Sequence, residues 1–235
     1  MTFVQANGIR LHVQELNPAG VLAPRTAVLL HGLAADTMAS WYFTLAYPLV
    51  EQGFRVVLQD LRGHGRSEHP ASGYALADFV DDLDALLDTE SEPVLLFGNS
   101  FGGTVAFGYA ARHPERVAGI VAVESSPPTQ DWFDGMQRRL RVRQPALAAT
   151  TRLRDELPTS VLPEPASLAA IRCPVLCLYG GRSPVHGLAK AGLGLLSRVR
   201  TEVYPGQRHS LLVDKPDEVR ATVTDWLRTE FPTGD

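Results

Sequence analysis

The stretch Pro93-Val94-Leu95-Leu96-Phe97-Gly98-Asn99-Ser100-Phe101-Gly102-Gly103 decides the fold. Val94 to Phe97 is apolar at every position, the pattern of a strand covered on both faces of a parallel sheet. Thr104 to His113 then carries apolar residues at helical spacing and stops at Pro114. Ser100 therefore sits on a turn between strand and helix, inside a Gly-x-Ser-x-Gly. So tight a turn brings the backbones of Gly98 and Gly102 against their neighbours, where a Cβ would clash, and holds Ser100 strained with its hydroxyl projecting. The following helix directs its N-terminal N–H groups and positive dipole end at the same place, where a developing oxyanion would be stabilised. A Gly/Ser pentapeptide alone is weak evidence. The flanking strand and helix make it a nucleophile elbow.

Working outward, the same alternation recurs on both sides. Phe3 to Leu16 reads as a hairpin turning at Asn7-Gly8, with Ile9, Leu11 and Val13 inward and Arg10, His12 and Gln14 on a wet face. Thr26 to Leu30 is a short apolar strand running into His31-Gly32-Leu33-Ala34-Ala35-Asp36. An aromatic helical segment follows, in which Pro48 is expected to kink or restart the helix and Gly53 to cap it. Phe54 to Gln59 is a strand ending at Asp60-Leu61-Arg62-Gly63-His64-Gly65-Arg66-Ser67. Leu76, Phe79, Val80, Leu83, Leu86 and Leu87 mark a helix, and Val117 to Val123 a strand closing at Glu124-Ser125-Ser126. After an irregular segment come strand Pro174 to Tyr179, helix Val185 to Leu196, strand Thr201 to Tyr204 and a last helix from Pro216. This order predicts an α/β fold over residues 1–235, a mostly parallel sheet with helices on both faces.

The irregular segment runs from Pro127 to Arg172. Its prolines bracket one or two short helical pieces, and six arginines fall between Arg138 and Arg154. It reads as a lid inserted over the site, with Trp132 and Phe133 as an apolar wall for substrate. The arginines suit an anionic substrate or a carrier protein, but a solvated helix face explains them as well.

Composition narrows the function. With 235 residues, 45% of them apolar, the chain supports one continuous core. A net charge of -4 with interspersed signs gives no case for nucleic acid or an anionic membrane surface, and no run approaches the length of a membrane span. Residues 1–5 show neither a basic start nor an apolar signal core, so cytoplasm is the expected location. Cys173 and Cys177 share one strand, where about 13 Å separates them, too far for a disulfide, and their spacing is wrong for a Cys-x-x-Cys site. They are expected to be buried fillers. No metal or cofactor is expected, and the partner is a small-molecule substrate.

Taken together, His31-Gly32, Asp60-x-Arg62-Gly63-His64-Gly65-x-Ser67, the elbow, and a late Gly206-Gln207-Arg208-His209 resemble the α/β-hydrolase superfamily over nearly the whole chain. The resemblance implies Ser100 as nucleophile, His209 as its base, and the N–H groups of Phe101 and Leu33 as the oxyanion hole. His31 and His64 would then be structural props, and His12, His69, His113 and His186 surface or cap residues. Where most relatives carry Gly-x-x-Asp-Pro, this chain has Gly180-Gly181-Arg182-Ser183-Pro184, and serine has no charge with which to stabilise an imidazolium. Haloalkane dehalogenases and some lactone hydrolases place a glutamate at the end of the preceding strand, which implies Glu124 as the acid; the alternative is a carboxylate capping a strand end in solvent. Asp214, at the start of the last helix, is the weaker candidate. The resemblance implies a cofactor-independent hydrolase of carboxylic esters, lactones or thioesters. Carbon–carbon hydrolysis, acyl transfer or cyclisation on the same fold is a second reading, and a non-catalytic ligand-binding protein a third.

Overall fold

The computed structural model describes residues 2–33, 36–142 and 150–232. Asn7 and Gly8, with φ of 48° and 76°, turn β1 (Thr2–Ala6) back on β2 (Ile9–Leu16). The hairpin does not stand alone, because β2 also pairs antiparallel with β4 (Arg55–Gln59). β3 (Thr26–Leu30) lies on the other side of β4, parallel to it. Beyond β3 come β5 (Val94–Asn99), β6 (Val117–Val123), β7 (Val175–Gly180) and β8 (Val199–Tyr204), all parallel, so the sheet order is β1-β2-β4-β3-β5-β6-β7-β8. From β3 the chain steps outward to β4, then returns to lay β5 on the opposite side. The C-terminal ends of β3 and β5 therefore flank the point where the winding reverses, the crevice in which open α/β sheets hold their ligands.

The all-apolar runs are buried on both faces. One core gathers Leu30, Leu96, Ile120 and Val175 under α2 (Leu76–Leu86) and α3 (Phe101–Arg112). The other gathers Leu29, Phe97, Val121 and Leu176 under α1 (39–51) and α9 (Pro216–Glu230). α1 consists of three consecutive pieces, Ala39–Trp41, a π-helical Tyr42–Ala46, and Tyr47–Glu51. Pro48 stands second in the last piece, where the α-helix restarts after the π-helical turn. The proline lacks the N–H that the Thr44 carbonyl would use four residues back, and that carbonyl accepts instead from Arg220 Nε on α9, at 3.4 Å.

Between β6 and β7 the chain forms α4 (Gln130–Val142), α5 (Leu153–Glu156) and α6 (Pro165–Ala169). Trp132, Phe133, Leu153, Leu157 and Leu168 from this segment all join the core under α2 and α3. Glu156 Oε2 accepts from the N–H groups of Gly73 and Tyr74 at 2.7 and 2.9 Å, tying the segment to the loop before α2. Of the six arginines, Arg138, Arg152 and Arg154 are exposed, while Arg143 and the side chains of Arg139 and Arg141 lie outside the described residues. α7 (Val185–Leu193) stops three residues short of the expected Leu196, at a glycine, Gly194, in the capping position. β8 is longer than expected and has no buried position, as suits an edge strand bearing Arg200 and Glu202.

His12 is buried rather than on a wet face: its ring turns under Phe3 and its Nδ1 meets Asp60 Oδ2 at 2.8 Å. Cys173 and Cys177 are unpaired, and burial pushes their thiols up to about 11 and about 12. No helix among the described residues is long and apolar enough to cross a membrane.

Candidate active site

Ser100 holds φ 51° and ψ -115° between β5 and α3. A side chain in that region is strained by about 1–3 kcal/mol. The glycines around it are there because nothing larger fits. A Cβ on Gly98 would overlap Gly103, and one on Gly102 would overlap the carbonyls of Leu30 and His31. The elbow thus presses directly on the end of β3. Ser100 N donates to Val123 O of β6 at 2.8 Å, fixing the turn from the other side.

His209 lies on the loop after β8, brought over Ser100 by the close docking of two loops. Gly181 N donates to Tyr204 O, and Arg182 N to Gln207 O, both at 2.8 Å. A Cβ on Gly180 would stand 2.6 Å from Gln207 O, so only glycine admits this approach. His209 Nε2 is 3.1 Å from Ser100 Oγ, and His209 Nδ1 is 2.8 Å from Glu124 Oε2. The His209 side chain is 39% exposed and Glu124 wholly buried, so the ring has one edge to solvent and its acid none.

Burial excludes a solvated strand cap for Glu124. Its φ is 54°, the left-handed region again, at the first position past β6. Three donors meet its carboxylate: Gly180 N on Oε1 at 2.5 Å, and Ser183 Oγ at 2.5 Å and His209 Nδ1 on Oε2. Ser183 Oγ also accepts from Val185 N at 3.3 Å, which leaves its proton for Glu124. Ser183, which carries no charge of its own, is therefore in the hydrogen-bond chain. Asp214 ends α8 (Leu211–Asp214) exposed, with no hydrogen bond to His209.

Leu33, half-buried, and Phe101, buried, follow the ends of β3 and the elbow respectively. The loop carrying Leu33 is held from beneath by His31, whose Nε2 accepts from Leu61 N at 2.9 Å and whose Nδ1 faces Gly32 O at 2.6 Å. That pair of partners requires the neutral ring protonated on Nδ1. Burial lowers its pKa, against the pull of Asp36, the Gly32 carbonyl and Asp60. His64, stacked edge-on to His31 at 5.1 Å, is pushed down to about 4 by burial and by His31. Both are props of the loop after β4. In the same loop, buried Asp60 accepts from Met38 N and Arg66 N, each at 3.0 Å, and from His12. Burial alone would raise that carboxyl, but these donors hold it below the usual range.

Trp132 and Phe133, expected to wall the substrate pocket, are both buried, Trp132 completely. Trp132 Nε1 donates to Thr104 Oγ1 on α3 at 2.6 Å, anchoring α4 to the helix behind Ser100. Asp36, which no pattern along the chain marks, has a carboxylate that joins Gly32 N to the Asn99 side chain beside the elbow.

Residues 27–162 match the family model described as alpha/beta hydrolase fold. The chain is 30% identical over 237 aligned residues to the 2-hydroxymuconate semialdehyde hydrolase of Pseudomonas sp. (strain CF600), an alignment covering 94% of this chain and 81% of that one. It is 38% identical over 117 residues to lipase LipV of Mycobacterium tuberculosis, covering 49% of this chain and 42% of the lipase. A putative haloperoxidase, that lipase and a haloalkane dehalogenase are each matched over only about two fifths of their length. Among solved structures, an esterase from Exiguobacterium antarcticum superposes with a TM-score of 0.77 at 19% identity, over 97% of this chain and 99% of the esterase, a likeness of fold alone. Sequence, family model and sheet order agree, and the chain belongs to the alpha/beta hydrolase family.

Proposed function

We propose that this hydrolase cleaves a carboxylic ester, lactone or thioester through an acyl-enzyme. The observation that carries the reading is the unbroken chain Ser100 Oγ, His209 Nε2, His209 Nδ1, Glu124 Oε2, with steps of 3.1 and 2.8 Å about the ring. In the mechanism that follows, Ser100 Oγ attacks the carbonyl carbon while its proton passes to His209 Nε2. Glu124 holds the ring with Nδ1–H toward itself and offsets the imidazolium charge. The N–H groups of Phe101 and Leu33 receive the oxyanion, which a low-dielectric cleft makes worth several kcal/mol. His209 then protonates the leaving oxygen or sulfur, and water, deprotonated by the same ring, releases the acid.

One comparison favours a second reading, carbon–carbon hydrolysis. The relative aligned with 94% of this chain is named for hydrolysing a semialdehyde, a compound class defined by no ester. Turnover of p-nitrophenyl acetate by the wild type and Ser100→Ala tests the first reading. Loss of about 10³-fold or more supports it, and retention of more than about a tenth of the rate overturns it.

A further inference from the structure

The geometry points to Asp36 as a positioning residue that sets the spacing between the two halves of the oxyanion hole; the inference rests on the acyl-enzyme reading above. Its Oδ2 accepts from Gly32 N at 2.7 Å and from Asn99 Nδ2 at 3.0 Å, and its Oδ1 from Thr37 N at 2.9 Å. Gly32 immediately precedes Leu33. Asn99 immediately precedes Ser100 and stands two residues before Phe101. One carboxylate oxygen therefore bridges the loop leaving β3 and the turn leaving β5, the two segments that supply the N–H donors.

A methyl group on Gly32 would lie 3.1 Å from Asp36 Oδ2 and 3.4 Å from Ser100 Cβ, so the carboxylate and the nucleophile sit against the same glycine. Beneath, the His31 ring already ties Gly32 O to Leu61 N. His31 fixes the height of this loop over β4, but nothing in that contact fixes its distance from the elbow. Asp36 does so, because a carboxylate accepts from several donors at once and carries no proton to oppose any of them.

An amide at this position keeps the volume and loses the function. However the amide of Asp36→Asn is turned, its NH₂ faces either Thr37 N–H or the pair of donors from Gly32 and Asn99. Charge alone argues the other way: a carboxylate beside a developing oxyanion is unfavourable, so removing its charge without moving the donors would not slow attack. A loss of rate therefore reports geometry.

The test is Asp36→Asn, assayed with p-nitrophenyl acetate and with an aryl boronic acid as inhibitor. In forming the boronate, boron bonds to Ser100 Oγ and the serine proton passes to His209, leaving a tetrahedral anion in the oxyanion hole. We expect kcat to fall about 30-fold or more and boronate affinity to weaken by a similar factor, with KM within about threefold. A folded Asp36→Asn whose kcat and boronate affinity stay within about threefold of wild type overturns the proposal. If Asp36→Asn does not fold, Asn99→Ala decides: it removes one arm of the bridge from a half-buried site, with about a fivefold loss in both quantities expected and no loss overturning. A wild type that neither turns over the ester nor binds the boronate overturns the acyl-enzyme reading and this proposal with it, whereas an active wild type with indifferent variants overturns the proposal alone.

Discussion

Ser183 Oγ donates to Glu124 Oε2 at 2.5 Å, the same oxygen that meets His209 Nδ1. The loop after β7 thus still reaches the histidine, but through a hydroxyl and a carboxylate borrowed from β6. Glu124 is held at three points, which keeps a buried anion satisfied and its oxygen aimed at the ring.

Glu124→Gln is expected to lower kcat/KM by about 10³–10⁴-fold, since a neutral amide neither selects the Nδ1–H tautomer nor stabilises the imidazolium. Steady-state kinetics on one ester checks it. A variant within about tenfold of wild type, beside a crippled Asp214→Asn, would move the acid elsewhere.

Ser183→Ala tests whether the hydroxyl on Glu124 matters to the rate. With its hydroxyl donating to a buried carboxylate, the loss is expected to be about tenfold in kcat with KM unchanged, because two other donors remain on Glu124. An unaltered kcat would return Ser183 to a passive role.

Trp132→Ala is expected to act on stability. It removes a completely buried indole and its bond to Thr104, a change that typically costs about 3–5 kcal/mol, or a drop in Tm of roughly 6–20 °C. A thermal melt within about 2 °C of wild type, with altered preference between short and long acyl chains, would instead support the pocket-wall role.

His64 links stability to pH. Its folded pKa is lowered to about 4, so between that value and the unfolded 6.5 the unfolded chain binds more protons, and stability falls as pH drops through the window. The full loss at the acid end is on the order of 3 kcal/mol. Urea unfolding at pH 7 and pH 4.5 should show a smaller difference in His64→Gln than in wild type. Equal differences would mean that His64 does not titrate in this way.

Much of this site was legible because it is local in sequence. The elbow is five consecutive residues whose glycines report the crowding directly, and the buried strands are unbroken apolar runs. His209 and Glu124 were legible only through the family resemblance, since no pattern along the chain joins positions 85 apart. The rest shares a cause. His12 alternates as an exposed residue does, but its ring lies against Phe3 and meets Asp60 from beyond β4. Trp132 sits in a proline-broken segment that reads as a lid, and its bond to Thr104 joins it to a helix 28 residues earlier in the chain. Asp36 accepts from two strand ends that become neighbours when β5 returns beside β3, a fact of topology that composition does not carry.

The most direct test of the central claim is labelling with a fluorophosphonate, followed by mass spectrometry of the digested protein. The reagent needs an activated serine and no knowledge of substrate. The expected result is a single adduct on Ser100 in the wild type, formed far more slowly in His209→Ala and absent from Ser100→Ala. A wild type that stays unlabelled, or carries its adduct on another residue, would contradict the assignment of Ser100 as a nucleophile driven by His209.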